Sequence, residues 1–188
     1  MNFNKHLDIK GLHSFLSPSK HYWINYDEEK LKDSYGSYRA QERGTMLHEF
    51  AAKCIELKQK LAIENRTLNM YVNDCIDLNL VPEQPLFYSR NCFGTMDCGN
   101  IEDGIIMVSD YKSGVTPASM DQLKIYVAIM CLEYHIDFRT DIKRAELRLY
   151  QNDDVEISIP SVEEIEYIIN KIIFSDNIVE SLRNHIDI

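Results

Sequence analysis

One dipeptide limits the folds open to this chain more than any other. Asp103-Gly104 stands between two β-rich runs, Phe93 to Glu102 and Ile105 to Tyr111. Both central positions of a type I′ hairpin turn need positive φ, which Asp and Gly tolerate, so the dipeptide predicts a hairpin. A two-residue turn pairs Glu102 with Ile105, and counting back along both strands sets Asp97 opposite Asp110. Directly opposed residues share a face with Cβ atoms roughly 4.5–5.5 Å apart, and a period of two puts Lys112 on the face of Asp110. A four-residue loop would keep the three together, whereas a three- or five-residue loop would separate Asp97 from Asp110.

Around this hairpin the patterning alternates between helix and strand. Leu47, Phe50, Ala51, Cys54 and Ile55 recur at helical spacing, predicting an amphipathic helix capped by Thr45 and running to about Leu61. The segment before it, 1–43, reads as irregular. A second helix is expected from Arg66 to Leu78, a proline-containing turn from Val81 to Pro85, and a strand from Leu86 to Tyr88. Pro117 and Ser119 open an all-round apolar helix to about Tyr134, the kind that is buried against a sheet. Two further strands, Ala145 to Tyr150 and Val155 to Ile159, flank a turn at Asp153. Ser161-Val162-Glu163-Glu164 is a capping box opening a last helix over about 161–184. The 188 residues hold 45% hydrophobic residues, with no repeat or Gly/Ser linker, which predicts one α/β domain over 1–188 with a core of its own.

Charge and cysteine content narrow the function. Net charge is -10, but residues 1–66 carry 11 Lys/Arg against 9 Asp/Glu, leaving 9 against 21 for the rest. Whole-molecule repulsion makes such a protein a poor general polyanion binder. A nucleic acid would have to be held locally, with Lys20, Arg39, Arg43, Lys53, Lys58 and Lys60 as the available cations; an ordinary mixed-charge face is the plainer reading. The five cysteines are odd in number and form no C-x-x-C, which favours buried thiols over disulfides or a metal cluster. No run of eighteen apolar residues exists and the first twenty residues lack the core of a signal peptide, so no membrane association and a cytoplasmic location are expected.

Two aspartates facing each other on a sheet repel and form strands poorly, so Asp97 and Asp110 need a counter-charge. Oxygen ligation suits Mg²⁺ or Mn²⁺, which can bridge a phosphate and activate water, and Lys112 beside the ion would orient that water or neutralise developing charge. An Asp–Lys salt bridge on a solvated face is the alternative, but Ile106 and Val108 occupy the same face.

Five elements in order give this pattern a family likeness. Gly94-Thr95-Met96-Asp97, Asp110-Tyr111-Lys112 and Gln122-Leu123-Lys124-Ile125-Tyr126 resemble the core of the PD-(D/E)xK nucleases, RecB-like branch. Gly44-Thr45-Met46-Leu47-His48 resembles that branch's upstream helical motif, and Leu12-His13-Ser14-Phe15-Leu16-Ser17-Pro18-Ser19 with Trp23 is similar to the start of phage-encoded members. The resemblance implies a restriction-endonuclease-like core, a mixed central β-sheet flanked by helices. It implies His48, Asp97, Asp110 and the Tyr111 carbonyl as metal ligands, Lys112 as the catalytic lysine, and Gln122 and Tyr126 as residues positioning the site and the DNA strand. Read without it, His48 is a structural helical histidine, Gln122 completes a capping box with Ser119, and Tyr126 is a core tyrosine with a satisfied hydroxyl.

The activity so implied is Mg²⁺- or Mn²⁺-dependent hydrolysis of DNA, by an exonuclease processing single- or double-stranded ends in phage recombination or replication, in the host cytoplasm. A structure-specific or restriction-type endonuclease and a non-catalytic DNA-binding subunit are the alternatives. The last cysteine is Cys131 and no G-x-x-x-x-G-K-[ST] occurs, so neither an iron–sulfur cluster nor ATP is expected. Residues 150–188 hold 9 Asp/Glu and 2 Lys/Arg, a tail suited to docking a recombination protein partner. Its plainer reading is a solvated helix whose Ile165, Ile168, Ile169 and Ile172 face the core.

Overall fold

The structure is a computed structural model, and it describes residues 14–186. Leu12 and His13 of the opening motif lie outside the described residues. Internal contacts divide the chain into two units, one up to Thr45 and one from Met46.

The described part of the first unit is not irregular. A 3-10 segment spans Pro18–Asn25, and helix α1 spans Glu28–Glu56, so the helix expected to start at Thr45 starts well before it. Asp27 is the cap, its Oδ1 accepting from Lys30 N at 2.8 Å. Thr45 lies inside the helix with its hydroxyl donated back to the Gln41 carbonyl, a bond typical of a helix interior rather than of a cap. The early turns bury no side chain and carry local pairs, Glu28 with Lys32, Arg39 with Glu42 and Tyr38 with Glu42. Each such pair is worth only ~0.2–0.5 kcal/mol. Phe15 adds aromatic contacts to Tyr35 and Tyr38 at centroid distances of 5.1 and 5.4 Å.

The second unit is α/β. Five strands, β1 (Val81–Ser89), β2 (Cys92–Glu102), β3 (Ile105–Tyr111), β4 (Arg144–Gln151) and β5 (Asp154–Ser158), form one sheet in the order β1-β2-β3-β4-β5. Only β3 and β4 run parallel, and their crossover is built from α3 (Asp121–Glu133) and α4 (Phe138–Asp141). Helix α2 (Thr67–Asp77) precedes the sheet and α5 (Val162–Ile186) follows it. This mixed sheet flanked by helices is the architecture expected from the sequence and is compatible with a restriction-endonuclease-like core.

The turn chemistry is as the residues dictate. Asp103 and Gly104 have φ of 51° and 75°, and Asn152 and Asp153, between β4 and β5, have 54° and 58°. Asp153 has a second use: its Oδ1 accepts from Thr67 N and Oγ1 at 2.9 and 3.0 Å, capping α2. At the start of α5, Ser161 N donates to Glu164 Oε2 and Glu164 N to Ser161 Oγ, completing the capping box. The expected turn over Val81 to Pro85 is instead the start of β1. Two prolines are tolerated there because β1 is an edge strand with one unpaired side.

Each face of the sheet has its own core. On one, Ile106, Val108, Met96, Ala145 and Leu147 pack with Leu123 and Val127 of α3 and Ile165 of α5. On the other, Cys98, Tyr111 and Tyr150 pack with Ala51, Cys54 and Ile55 of α1 and Tyr71, Val72 and Cys75 of α2. Burying each large aliphatic contributes about 1.5–3 kcal/mol. Four of the five cysteines are buried, all five are free thiols, and Cys92 is half-buried. Ile169 and Ile172 pack against the first core as expected for the α5 stripe. Among the described residues no helix is long and apolar enough to cross a membrane.

Candidate active site

The open end of the β2–β3 hairpin departs from regular pairing. From Glu102–Ile105 the ladder proceeds in the expected register and ends at Cys98–Ser109, one step short of Asp97 and Asp110. In a regular strand, residues two apart share a face; here Met96 belongs to the core of Val108 and Cys98 to the opposite core. Strand β2 therefore changes over at Asp97. A side chain at Gly99 would collide with Met96 Cε at 2.5 Å, so that glycine lets Met96 fold over the strand. The edge strand changes over at the same level: Pro82 pairs with Cys98 and Gln84 with Met96, leaving Glu83 across from Asp97 with φ of 51°.

The changeover aims Asp97 at groups other than its expected partner. Its Oδ2 accepts from Tyr111 N at 3.1 Å and lies 3.2 Å from His48 Nδ1, the two side chains being 17% and 28% exposed. His48 comes from α1, whose apolar neighbours Ala51 and Ile55 are anchored in the core. The hydrogen bond to Asp97 raises the imidazole pKa above its ordinary value, against the opposing cost of burial. Glu83 completes a group: ligand atoms of His48, Glu83 and Asp97 all lie within 4.8 Å of one another. Partial burial, then the Asp97 charge, raise the Glu83 pKa.

Asp110 sits beside this group rather than in it. Its side chain is 1% exposed, and burial, followed by the charge of Asp97, pushes its pKa up to about 6 despite Lys112. Lys112 Nζ donates to Asp110 Oδ1 at 3.0 Å and lies 2.8 Å from Oδ2. That second contact is an ion pair without hydrogen-bond geometry, and buried Oδ2 accepts no hydrogen bond. Beyond Lys112 a relay runs onto α3: Nζ donates to Gln122 Oε1 at 3.0 Å, Gln122 Nε2 to Tyr126 OH at 3.3 Å, and Tyr126 OH to the Thr95 carbonyl at 2.6 Å. Gly94 gives that phenol room, since a Cβ there would stand 3.4 Å from its ring.

The structure thus decides between several alternatives left open by the residues alone. Gln122 points to Lys112 and not to a helix cap; Ser119 Oγ instead accepts from Asp121 N. Tyr126 is half-buried with a bonded hydroxyl, so it is a packing residue and part of the relay at once. Lys112 and Asp110 do form the ion pair, but its Asp110 end is buried above Ile106 and Val108 and does not lie on a solvated face. Tyr111 sends its ring into the second core, 5.2 Å from His48 and 5.7 Å from Tyr71. The expected direct opposition of Asp97 and Asp110 is replaced by the changeover, because Met96 is drawn into the core below α3.

Glu83 is the residue that sequence reasoning missed. Reading Val81 to Pro85 as a turn removed it from the sheet; a strand allowed to hold prolines on its free edge would have placed it across from Asp97. The six candidate cations divide evenly. Arg39, Lys53 and Lys60 each form an exposed ion pair, with Glu42, Glu56 and Asp77, and Lys20, Arg43 and Lys58 have no ion pair among the described residues.

The donor set fits a hard divalent cation. One imidazole, the carboxylates of Glu83, Asp97 and Asp110, and a buried Asp110 oxygen accepting no hydrogen bond together give excess negative charge and unsatisfied acceptors, which such an ion would satisfy. No family model and no curated protein matches the chain.

Proposed function

We propose that this chain is a divalent-metal-dependent deoxyribonuclease of the PD-(D/E)xK superfamily, RecB-like branch, acting as an exonuclease on DNA ends. The observation that carries the reading is the continuous series from Asp110 through Lys112, Gln122 and Tyr126 to the Thr95 carbonyl. A lysine held between a buried carboxylate and a glutamine, next to a His–Asp pair, has no structural need for so many polar partners.

His48, Asp97, Asp110 and the Tyr111 carbonyl would hold Mg²⁺ or Mn²⁺. When bound, the ion supplies Lewis acidity at a phosphate oxygen and acidifies water for attack. Lys112 spends two of its three donors on Asp110 and Gln122, and the third is left to orient the attacking water or to meet charge developing on the phosphate. Gln122 Oε1 gives the ammonium a second point of attachment. Tyr126 fixes Gln122, anchored in turn on the backbone of β2. Proximity and a rigid support are what such a site adds to the chemistry of the ion.

The test is a cleavage time course on 5′- and 3′-labelled single- and double-stranded DNA with Mg²⁺, with Mn²⁺ and with chelator. The reading expects label loss from ends with either ion and none with chelator. Cutting of circular single-stranded DNA would move it to an endonuclease. DNA binding without cleavage under every metal condition would leave a binding subunit in its place.

A further inference from the structure

The edge strand brings a charge to this site that the other residues do not explain. Glu83 and Asp97 stand across from each other on neighbouring strands, and like charges so placed destabilise a sheet. Lys112 does not offset them, being engaged by Asp110 and Gln122. His48 offers one ring nitrogen to Asp97, and His48, Glu83 and Asp97 together place three ligand atoms within 4.8 Å. Glu83 is held there in the left-handed region, at φ of 51°, a conformation unfavourable for a residue with a side chain. Buried Asp110, an electrostatic neighbour of both Asp97 and His48, takes up the Lys112 ammonium at 2.8 Å, so that cation leaves Glu83 and Asp97 without it.

We infer that Glu83 is a cation ligand, completing with His48 and Asp97 a site for a divalent ion drawn from three separate elements, α1, β2 and the edge strand β1. This rests on reading the hairpin's open end as a metal site, and adds a ligand that reading does not contain. One nitrogen and two carboxylates favour Mn²⁺ over Mg²⁺, because imidazole suits the softer ion better and Mg²⁺ prefers oxygen and water. The ion binds without nucleic acid, since all three donors are already assembled.

Mn²⁺ titrated into the full chain without DNA, followed by loss of the free-ion electron paramagnetic resonance signal, tests the assignment. Glu83→Gln should weaken binding by at least about tenfold. Glu83→Gly should weaken it equally while raising the melting temperature of the metal-free protein, because glycine accepts the positive φ. Those opposite signs distinguish a ligand from a structural residue and keep the test valid if the glutamine variant folds poorly. Wild-type affinity in both variants, or no Mn²⁺ binding by the wild type, overturns the inference. Cleavage measured on the same preparations separates the two readings. Loss of Mn²⁺ affinity in the variants, with a wild type that cuts no DNA, leaves Glu83 a ligand and removes the nuclease. Mn²⁺-dependent cutting by variants that bind the ion normally does the reverse.

Discussion

At its tip the β2–β3 hairpin closes through Asp103 and Gly104, with Glu102 and Ile105 paired and both turn residues at positive φ. At its open end the ladder stops before Asp97 and Asp110, and the Tyr111 N–H that pairing would assign to a backbone carbonyl goes to the Asp97 side chain. The tip is governed by local turn chemistry, and any sequence with this dipeptide between strand formers would close in the same way. The open end is governed by packing from two directions, Met96 drawn into the α3 core and Cys98 into the α2 core, while exposed Glu83 on the edge strand brings its carboxylate close to Asp97. The difference teaches that the irregular end gathers polar and titratable side chains because it has given up backbone pairing for side-chain partners.

Substitutions at the open end should affect activity far more than stability. Lys112→Ala and Asp110→Asn are each expected to lower the cleavage rate by about 10²–10³-fold or more, with far-ultraviolet circular dichroism unchanged. Wild-type turnover by either variant would remove these residues from the site. Met96→Ala sharpens the comparison from the packing side. Met96 is 1% exposed, so the loss should be about 2–5 kcal/mol in denaturant unfolding. Because the same side chain sets the changeover at Asp97, Mn²⁺ affinity should fall along with stability; a variant that loses stability alone would uncouple packing from site geometry.

The tip should show the opposite balance. Gly104→Ala forces a side chain into φ of 75° and against the Asp141 carbonyl at 3.3 Å. About 1–2 kcal/mol of destabilisation is expected, with cleavage by the folded fraction unchanged. A loss of specific activity there would show that the two ends are not independent.

How far the residues disclosed this arrangement follows the same division. Register, the capping box at Ser161 and the shared face of Asp110 and Lys112 are local or periodic features, and these were legible; the company of Gln122 and Tyr126 was implied by the family resemblance alone. Helix α1 before Thr45 was not, because its few apolar residues, Leu31, Tyr35 and Tyr38, stand among charged ones and none is buried. Glu83 was hidden by two prolines that only an edge position excuses. The changeover at Asp97 depends on which core takes Met96, a tertiary choice written nowhere in the strand itself.

The smallest effect belongs to a clamp distant from either end. Arg90 and Asn91, in the turn between β1 and β2, hold Glu180 of α5, and the Arg90 guanidinium pulls the Glu180 pKa down to about 2. A carboxylate with a lowered folded pKa adds stability above its unfolded value, near 4.5. That stability is lost as pH falls from there through about 2. Glu180→Gln should flatten this part of the acid limb of a melting-temperature profile and leave the neutral region almost unchanged. Arg90 is exposed and Glu180 only half-buried, so the change should be small and weaker still in high salt.

Removal of metal tests the central claim most directly. End-labelled linear DNA incubated with the purified chain should lose its label with Mn²⁺ or Mg²⁺, keep it with excess chelator, and lose it again when the ion is restored. Cleavage that continues undiminished in chelator, or that fails with both ions at every DNA end, would contradict a cation held by the open end of the hairpin as the basis of this protein's activity.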